Sequence, residues 1–534
     1  MIWTVFLLVQ AVLLYLLVTH RSRSESDPPL DKGAIPWLGH AIEFGKDAAK
    51  FLNRMKQKHG DIFTVRVVGR YVTVLLDPHS YDCVINDSDS LDFERYADVL
   101  METIFKLRLP HRQPARTKAL MKRHFRGMNL ATLNETMCRH LESLLKAEIP
   151  PNLKYWKQKE LFDFSYGLLF KAGYLTLFGG EQNNNSADPT SVYDEYRKFD
   201  NLLTKLARRT LKRDESRTAQ NARHRLWELL TPAGQTEDSG SHAWIYAYRR
   251  LLQREGVDEE MQKRAVLMQL WATQVSVRSG WEMLCVLCLG NIGRLMEISR
   301  SYLLYRMNLL ELELQYSASL HMRGNIGPAA FWLLGFLLTN PEALSAVRSE
   351  FKQIAQMETS GTSLLHSRGN TPVFDSVLEE TLRLTAAPFI TREVVQEKTI
   401  QMANGQKYHL RKGDRVCLFP FTSPQMDPEI HPEPQKFQFD RFLNKDGSAK
   451  KDFYKGGRKL KYYTMPWGAG TNGCVGKQFA INTIRQFVYL VLDMDLELCD
   501  IDAQMPEINT SRYGFGMLQP KGDLLVRMKA RKTN

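Results

Sequence analysis

The chain predicts a mainly α fold with small β-sheets, an α+β arrangement, and three observations carry that expectation. From about residue 93 to 338 apolar residues recur at three-to-four spacing, as in LNETMCRHLESLLKAE, NLLTKLARRTL and HRLWELL, the period of an amphipathic helix. Before that body stand two β-branched runs, DIFTVRVVG (61–69) and YVTVLLD (71–77), separated by Arg70, which read as a hairpin. Short extended pieces return late, VCLFPF (416–421) and DLLVRMKA (523–530), so a minor β part is expected before and after a long helical body.

With 534 residues, 43% hydrophobic, 25% charged and 10% aromatic, the chain can bury a large core, which excludes disorder, collagen and a disulfide-built miniature. Its length suits roughly three to four average domains or one large enzyme fold. Seven cysteines, at 83, 138, 285, 288, 417, 474 and 499, are odd in number and irregular in spacing. A secreted disulfide framework is therefore not expected, and the folded part should face a reducing compartment. The formal charge, 72 − 59 = +13, is scattered along the chain with no recognition module beside it, so no nucleic acid partner is expected. The basic stretch 208–213 reads as a solvated helix face.

Ile2 to Thr19 is eighteen residues without a charge, near the lower limit for spanning a bilayer. His20, Arg21 and Arg23 follow it and no basic residue precedes it, which places the remainder in the cytosol behind a retained single-pass anchor. The chain then divides into an anchor (1–20), a Pro-rich linker (21–36, with Pro28, Pro29 and Pro36) and a catalytic domain (37–534). Sequons at Asn134 and Asn184 would face the wrong side for glycosylation.

One region breaks the length priors. About eighty residues from Glu259 to Asn340 are nearly continuously helical or apolar, against roughly 8–20 for a globular helix. Within it Gly-Asn-Ile-Gly occurs at 290–293 and again at 324–327. Cys285 and Cys288 have redox or metal spacing, but no further ligands follow at usable distance, and they read as two thiols in an apolar run.

The chemistry concentrates near the C-terminus. Pro466-Trp467-Gly468-Ala469-Gly470-Thr471-Asn472-Gly473-Cys474-Val475-Gly476 precedes the helical stretch KQFAINTIRQFVYLVLDMDL. Glycines allow left-handed backbone and close approach of a bulky planar ligand, and a cysteine ahead of a helix N-terminus is biased towards thiolate, a good axial ligand for haem iron. The bland alternative is a buried cysteine in a turn. Upstream, Glu380 and Arg383 sit three apart on one helical face, and Arg441 lies in Phe437-Gln438-Phe439-Asp440-Arg441-Phe442.

These three elements in this order resemble the cytochrome P-450 superfamily, in which the Glu–Arg pair and the later Arg form a structural triad behind the haem-thiolate loop. The resemblance runs from about Pro29 to the end and includes the anchor. It implies a P-450 haem-thiolate fold after one transmembrane helix, with haem b (iron protoporphyrin IX) as cofactor and Cys474 as catalytic metal ligand. Trp467, Gly470 and Gly476 match the loop, while Asn472 stands where the family usually carries a basic residue holding a propionate. Oxygen-activating members carry an acid–Thr pair in the helix over the haem, and Gly324-Asn325-Ile326-Gly327-Pro328-Ala329-Ala330-Phe331-Trp332 has neither. Pro328 is expected to kink that helix.

The missing pair is shared with the peroxide-isomerising branch of the superfamily, and KGAIPWLGH (32–40), RYVTVLLDPHS (70–80), LRLTAAPFITREV (382–394), DFYK (452–455) and SRYGFGMLQP (511–520) also resemble it. The implied reaction turns the endoperoxide prostaglandin H2 into prostacyclin by O–O homolysis and rearrangement, without dioxygen or reductase. The implied partners are an endoperoxide lipid substrate and membrane lipid, and the implied state is a monomer on the endoplasmic reticulum membrane.

By the same resemblance Asn325 would hydrogen-bond the peroxide, or else be satisfied by its own turn. Thr391 and Arg392 would sit by the haem edge or the substrate, Arg415 would face the substrate or end an exposed turn, and Leu109 would line an apolar wall. In the proteins resembled, LWATQ (270–274) runs directly into Gly-Asn-x-Gly-Pro-Ala-Ala-Phe-Trp, whereas here Val275–Arg323 intervene. As helix those 49 residues would add about 70 Å, too long for a compact domain. Two other outcomes stay open: a sterol or lipid monooxygenase, and a membrane-anchored isoform inactivated by the insert.

Overall fold

The structure is a computed structural model that describes residues 10, 24–35, 37–93, 101–109, 114–153, 155–179, 187–208, 211–231, 244–274, 325–357, 371–514 and 516–531. The expected anchor apart from Gln10, the sequon at Asn184, Cys285, Cys288 and the insert at 275–323 lie outside these residues.

Strand β1 (Leu30–Asp31) and helices α1 (Ala41–Lys46) and α2 (Ala48–His59) lead into β2 (Ile62–Val67) and β3 (Arg70–Leu75). The expected hairpin forms: Val67 faces Arg70 across Val68 and Gly69, whose positive φ angles of 49° and 74° match a turn that follows strand twist. After β4 (Leu91–Asp92) come α3 (Pro114–His124), α4 (Gly127–Glu148), β5 (Lys157–Glu160), α5 (Leu161–Phe178), α6 (Pro189–Asn201), α7 (Leu203–Arg208) and α8 (Arg213–Leu229). The helical body continues through α9 (Trp244–Arg254), α10 (Glu259–Gln274), α11 (Ile326–Leu338), α12 (Pro341–Met357) and α13 (Pro372–Thr385). Then follow β6 (Ile390–Val394), β7 (Lys398–Gln401), β8 (Lys407–Leu410), β9 (Arg415–Leu418), β10 (Tyr454–Lys455), β11 (Arg458–Lys459), α14 (Lys477–Leu492), β12 (Asp495–Leu498) and β13 (Leu525–Lys529).

The late strands do not make a sheet of their own. β9 inserts parallel beside β3, Val72 opposite Arg415, giving the order β1-β2-β3-β9-β6-β4, and β13 pairs with both β12 and β5. Two stretches separated by more than 300 residues thus close one sheet around the start of the helical body. The last four residues of the stretch expected to be helical after Cys474 leave the helix, because Asp495 and Leu496 pair with Lys529 and Met528.

The centre of the core is α5 against α11. Both are apolar on nearly every side, as befits helices with no face to water. Their contact requires Gly327, where an added Cβ would lie 2.1 Å from Tyr166 Cδ2. Pro328 does not kink this helix: it is the third residue, in the first turn, where its missing N–H has no intrahelical acceptor to lose. Asn134 of the first sequon is 6% exposed inside α4, so burial alone keeps it from modification. Among the described residues no single helix is long and apolar enough to cross a membrane; α11 and α12 pass together only across a 109° bend.

Replacing Gly327 by Ala is expected to cost about 1–3 kcal/mol through overpacking against Tyr166, read as a lower melting temperature at unchanged secondary structure.

Candidate active site

Glu380 is the polar centre of the region. It lies on α13, 0% exposed, and a buried carboxylate persists only when its oxygens are taken up. Arg383, one turn later, donates from Nε to Oε2 at 2.7 Å and from Nη2 to Oε1 at 2.8 Å, and Arg441 donates from Nε at 2.9 and 3.0 Å. The Gln438 amide adds 3.1 Å to Oε1. The expected triad therefore exists as one buried cluster. Its remaining donors fasten a segment without strands that starts at the end of a short helical turn, Phe421–Gln425: Arg383 Nη1 holds the carbonyls of Gln425 and Pro434, and Arg441 holds those of Pro432 and Lys436.

Two side chains carry that order onwards to the cysteine loop. Gln425, fully buried, donates from Nε2 to the carbonyls of Arg383 and Ala386 at 2.9 and 2.7 Å, at the end of α13 where a helix leaves carbonyls without partners. That orientation turns Oε1 towards Met465, whose amide donates to it at 3.4 Å. His431, also fully buried, pairs through Nε2 with the Tyr463 carbonyl at 2.9 Å, which requires the proton on that nitrogen. Burial pushes its pKa down to about 3 from 6.5, with Arg383 and Arg441 adding repulsion, so the ring is neutral at physiological pH. Nothing in the composition or periodicity singled out Gln425 or His431, because their partners are main-chain atoms.

From Met465 the chain enters the loop. The Gly468 amide bonds the Met465 carbonyl, and the Cys474 amide donates to the Trp467 carbonyl at 2.9 Å, closing the loop on itself. Gly468 and Gly470 take φ of 64° and 65°, and a Cβ on Gly470 would meet Ile85 Cγ2 at 2.5 Å. Only glycine satisfies both conditions at 470. Gly476 is the N-cap of α14, so Cys474 stands two residues ahead of the positive end of that helix.

Thr391 and Arg392 lie on β6, 2% and 1% exposed. Thr391 Oγ1 donates to Cys417 Sγ at 3.5 Å. Arg392 Nη1 donates to the Thr391 carbonyl, its guanidinium sits 5.3 Å from the Phe93 ring, and Nη2 is buried without an acceptor. Burial lowers its pKa to about 10, which leaves it charged. Arg415 is not an exposed turn end: it is 3% exposed as the first residue of β9, between β3 and β6. Asn325 is not inside the described helix but at its N-cap, and its Oδ1 accepts from the Met517 amide at 2.9 Å across the fold. Leu109 is partly buried against the main core, beside the fully buried Ile104 and Phe105.

The residues fit a haem. A thiol is presented on a glycine loop, and two buried donors, Arg392 Nη2 and Trp467 Nε1, lack acceptors among the described residues, as the carboxylates of a porphyrin would require.

Glu380→Gln leaves two guanidiniums short of a counter-ion and is expected to cost about 3–5 kcal/mol and the thiolate-haem carbonyl band, with Gln425→Leu losing about 1–3 kcal/mol. Because the His431 pKa is depressed on folding, the unfolded chain binds the extra proton between pH 6.5 and about 3. Stability should fall as pH drops through that window, and melting of His431→Phe against pH should give a shallower acid limb than wild type.

Comparison with known proteins places this geometry. A family model described as Cytochrome P450 matches residues 328–526. Prostacyclin synthase of Homo sapiens is 46% identical over 525 residues, spanning 96% of this chain and 95% of that protein. The Rattus norvegicus prostacyclin synthase is 47% identical over 531 residues, with the same 96% and 95% coverage. The Homo sapiens 7-alpha-hydroxycholest-4-en-3-one 12-alpha-hydroxylase is 37% identical over 524 residues, covering 96% of this chain and 95% of its own. The solved structure of a retinoic acid-bound cyanobacterial CYP120A1 shares the fold, with TM-score 0.65 at 17% identity over 95% of this chain and 100% of that one. The cofactor is haem, as the family and these relatives imply, and the chain belongs to the cytochrome P450 family.

Proposed function

We propose that this chain is an isomerase that converts prostaglandin H2 to prostacyclin by endoperoxide homolysis and rearrangement, with neither dioxygen nor a reductase. The single observation that carries the reading is the composition of α11 and its entry: Asn325 followed by Ile, Gly, Pro, Ala, Ala, Phe and Trp, buried from Gly327 onward, with no acid or threonine to feed protons to dioxygen. Identity of 46–47% to prostacyclin synthases over nearly the whole chain supports it.

When bound, haem supplies an electron-rich iron centre able to exchange single electrons with a peroxide. Cys474 would hold its iron, and Arg392 and Trp467 would receive its propionates, doing the work of the usual basic residue at Asn472. Asn325, whose Oδ1 accepts from the Met517 amide, would stand at the entry of α11 to hydrogen-bond the peroxide. Thr391, Arg392 and Arg415 would border the substrate, and Leu109 would line its apolar side. An apolar lining there would keep water from the reacting substrate. Attachment to the endoplasmic reticulum by residues 1–20, a cytosolic catalytic domain, a monomeric state and an insert at 275–323 belong to the same proposal, on the apolar run with its basic flank and the broken helix pattern.

A second reading, a sterol or lipid monooxygenase, is favoured by the 37% identity to a sterol 12-alpha-hydroxylase. Full-length, haem-loaded protein mixed with prostaglandin H2 in the absence of reductant is expected to give prostacyclin, and Cys474→Ala to give none and lose the thiolate-haem carbonyl band. Oxygen uptake that depends on a reductase, with no prostacyclin, would establish the second reading. Normal haem loading with neither activity would mark an isoform inactivated by the insert.

A further inference from the structure

Arg223, on α8, is 6% exposed and has no carboxylate partner among the described residues. Its Nη1 donates to the Ile104 carbonyl at 3.1 Å, while Nε is buried without an acceptor. One turn later Trp227, 7% exposed, has its ring 5.4 Å from the Arg223 guanidinium, and its indole N–H is likewise buried without an acceptor. Arg264 of α10 lies 5.2 Å from the same ring, but it is satisfied by Glu260 at 2.9 and 3.1 Å and by the Lys106 carbonyl at 2.8 Å. Two guanidiniums therefore attend one indole with a single carboxylate between them, an excess of one positive charge. Burial, and then Arg264, push the Arg223 pKa down, and no acid offsets them. A third buried indole N–H without an acceptor, that of Trp271 (1% exposed), belongs to a ring packed 5.1 Å from Phe105, the neighbour of Ile104.

A buried guanidinium without a counter-ion is costly, as is each buried donor left unpaired, so this juxtaposition calls for a ligand. The ligand must be anionic and rich in acceptors. A carboxylate on a long hydrocarbon chain has that chemistry.

We propose that Arg223 receives the carboxylate of the acidic lipid substrate, with the Trp227 indole N–H as second donor. This deepens the substrate reading above and rests on it. The site selects acids over neutral lipids of the same length.

The test is equilibrium binding of arachidonic acid and of its methyl ester to full-length, haem-loaded protein, followed by the shift in haem absorbance. Wild type should bind the acid about ten- to hundredfold more tightly than the ester. Arg223→Gln should abolish that preference without changing ester affinity, and Arg223→Lys should restore part of it. An acid preference that survives Arg223→Gln, or is absent from wild type, overturns the proposal and leaves a site for buried water only. If Arg223→Gln does not hold haem, Trp227→Phe decides, with a several-fold loss confined to the acid expected and an unchanged ratio refuting the assignment. Failure of the isomerase reading shows separately, as absence of prostacyclin from wild type with the acid preference intact.

Discussion

The structure turns on one carboxylate. Glu380 is completely buried and shared between Arg383 and Arg441, and the guanidinium donors it does not use are spent on carbonyls from residues 425–436. That segment forms no extended ladder, so its buried carbonyls need donors from elsewhere. The two arginines supply them, and the path of the chain from β9 to the cysteine loop follows. Through Gln425 and His431 the same order reaches Met465 and Tyr463, and the loop amides then place Cys474 relative to Trp467. Order is handed along by side chains bonded to main-chain atoms.

The buried arginines divide by what they face. Arg383 and Arg441 share an acid and organise backbone. Arg392 and Arg223 each keep a buried nitrogen without an acceptor among the described residues, where, under the readings proposed, a porphyrin carboxylate and a substrate carboxylate would supply the missing charge. Sequence spacing alone does not separate the two kinds, because an arginine on β6 and one on α13 look alike until their neighbours are known.

Much of the fold was legible in the amino acids. The hairpin at 62–75 followed from β-branched runs around Val68 and Gly69, and the helices over 127–148 and 213–229 from their apolar period. The candidate site was legible in outline, since Glu380, Arg383, Arg441 and the Trp467–Gly476 loop announced themselves by residue type and order. The position of Asn325, the burial of Arg415 and the harmlessness of Pro328 were not legible. Each depends on where a helix begins or which strands flank a residue, and those are decided by partners far away in the chain.

Residue identity by itself determined the chemistry on offer: a thiol among glycines, a Glu–Arg–Arg set, and a helix without acid or threonine. These are local properties, fixed by covalent structure and short-range spacing. Only the tertiary structure decided that β9 would insert beside β3, that Gln425 and His431 would carry the triad's order to the loop, and that Arg223 would be enclosed with no acid beside it. Those outcomes rest on non-local hydrogen bonds and burial, whose energies depend on which distant segments exclude water together.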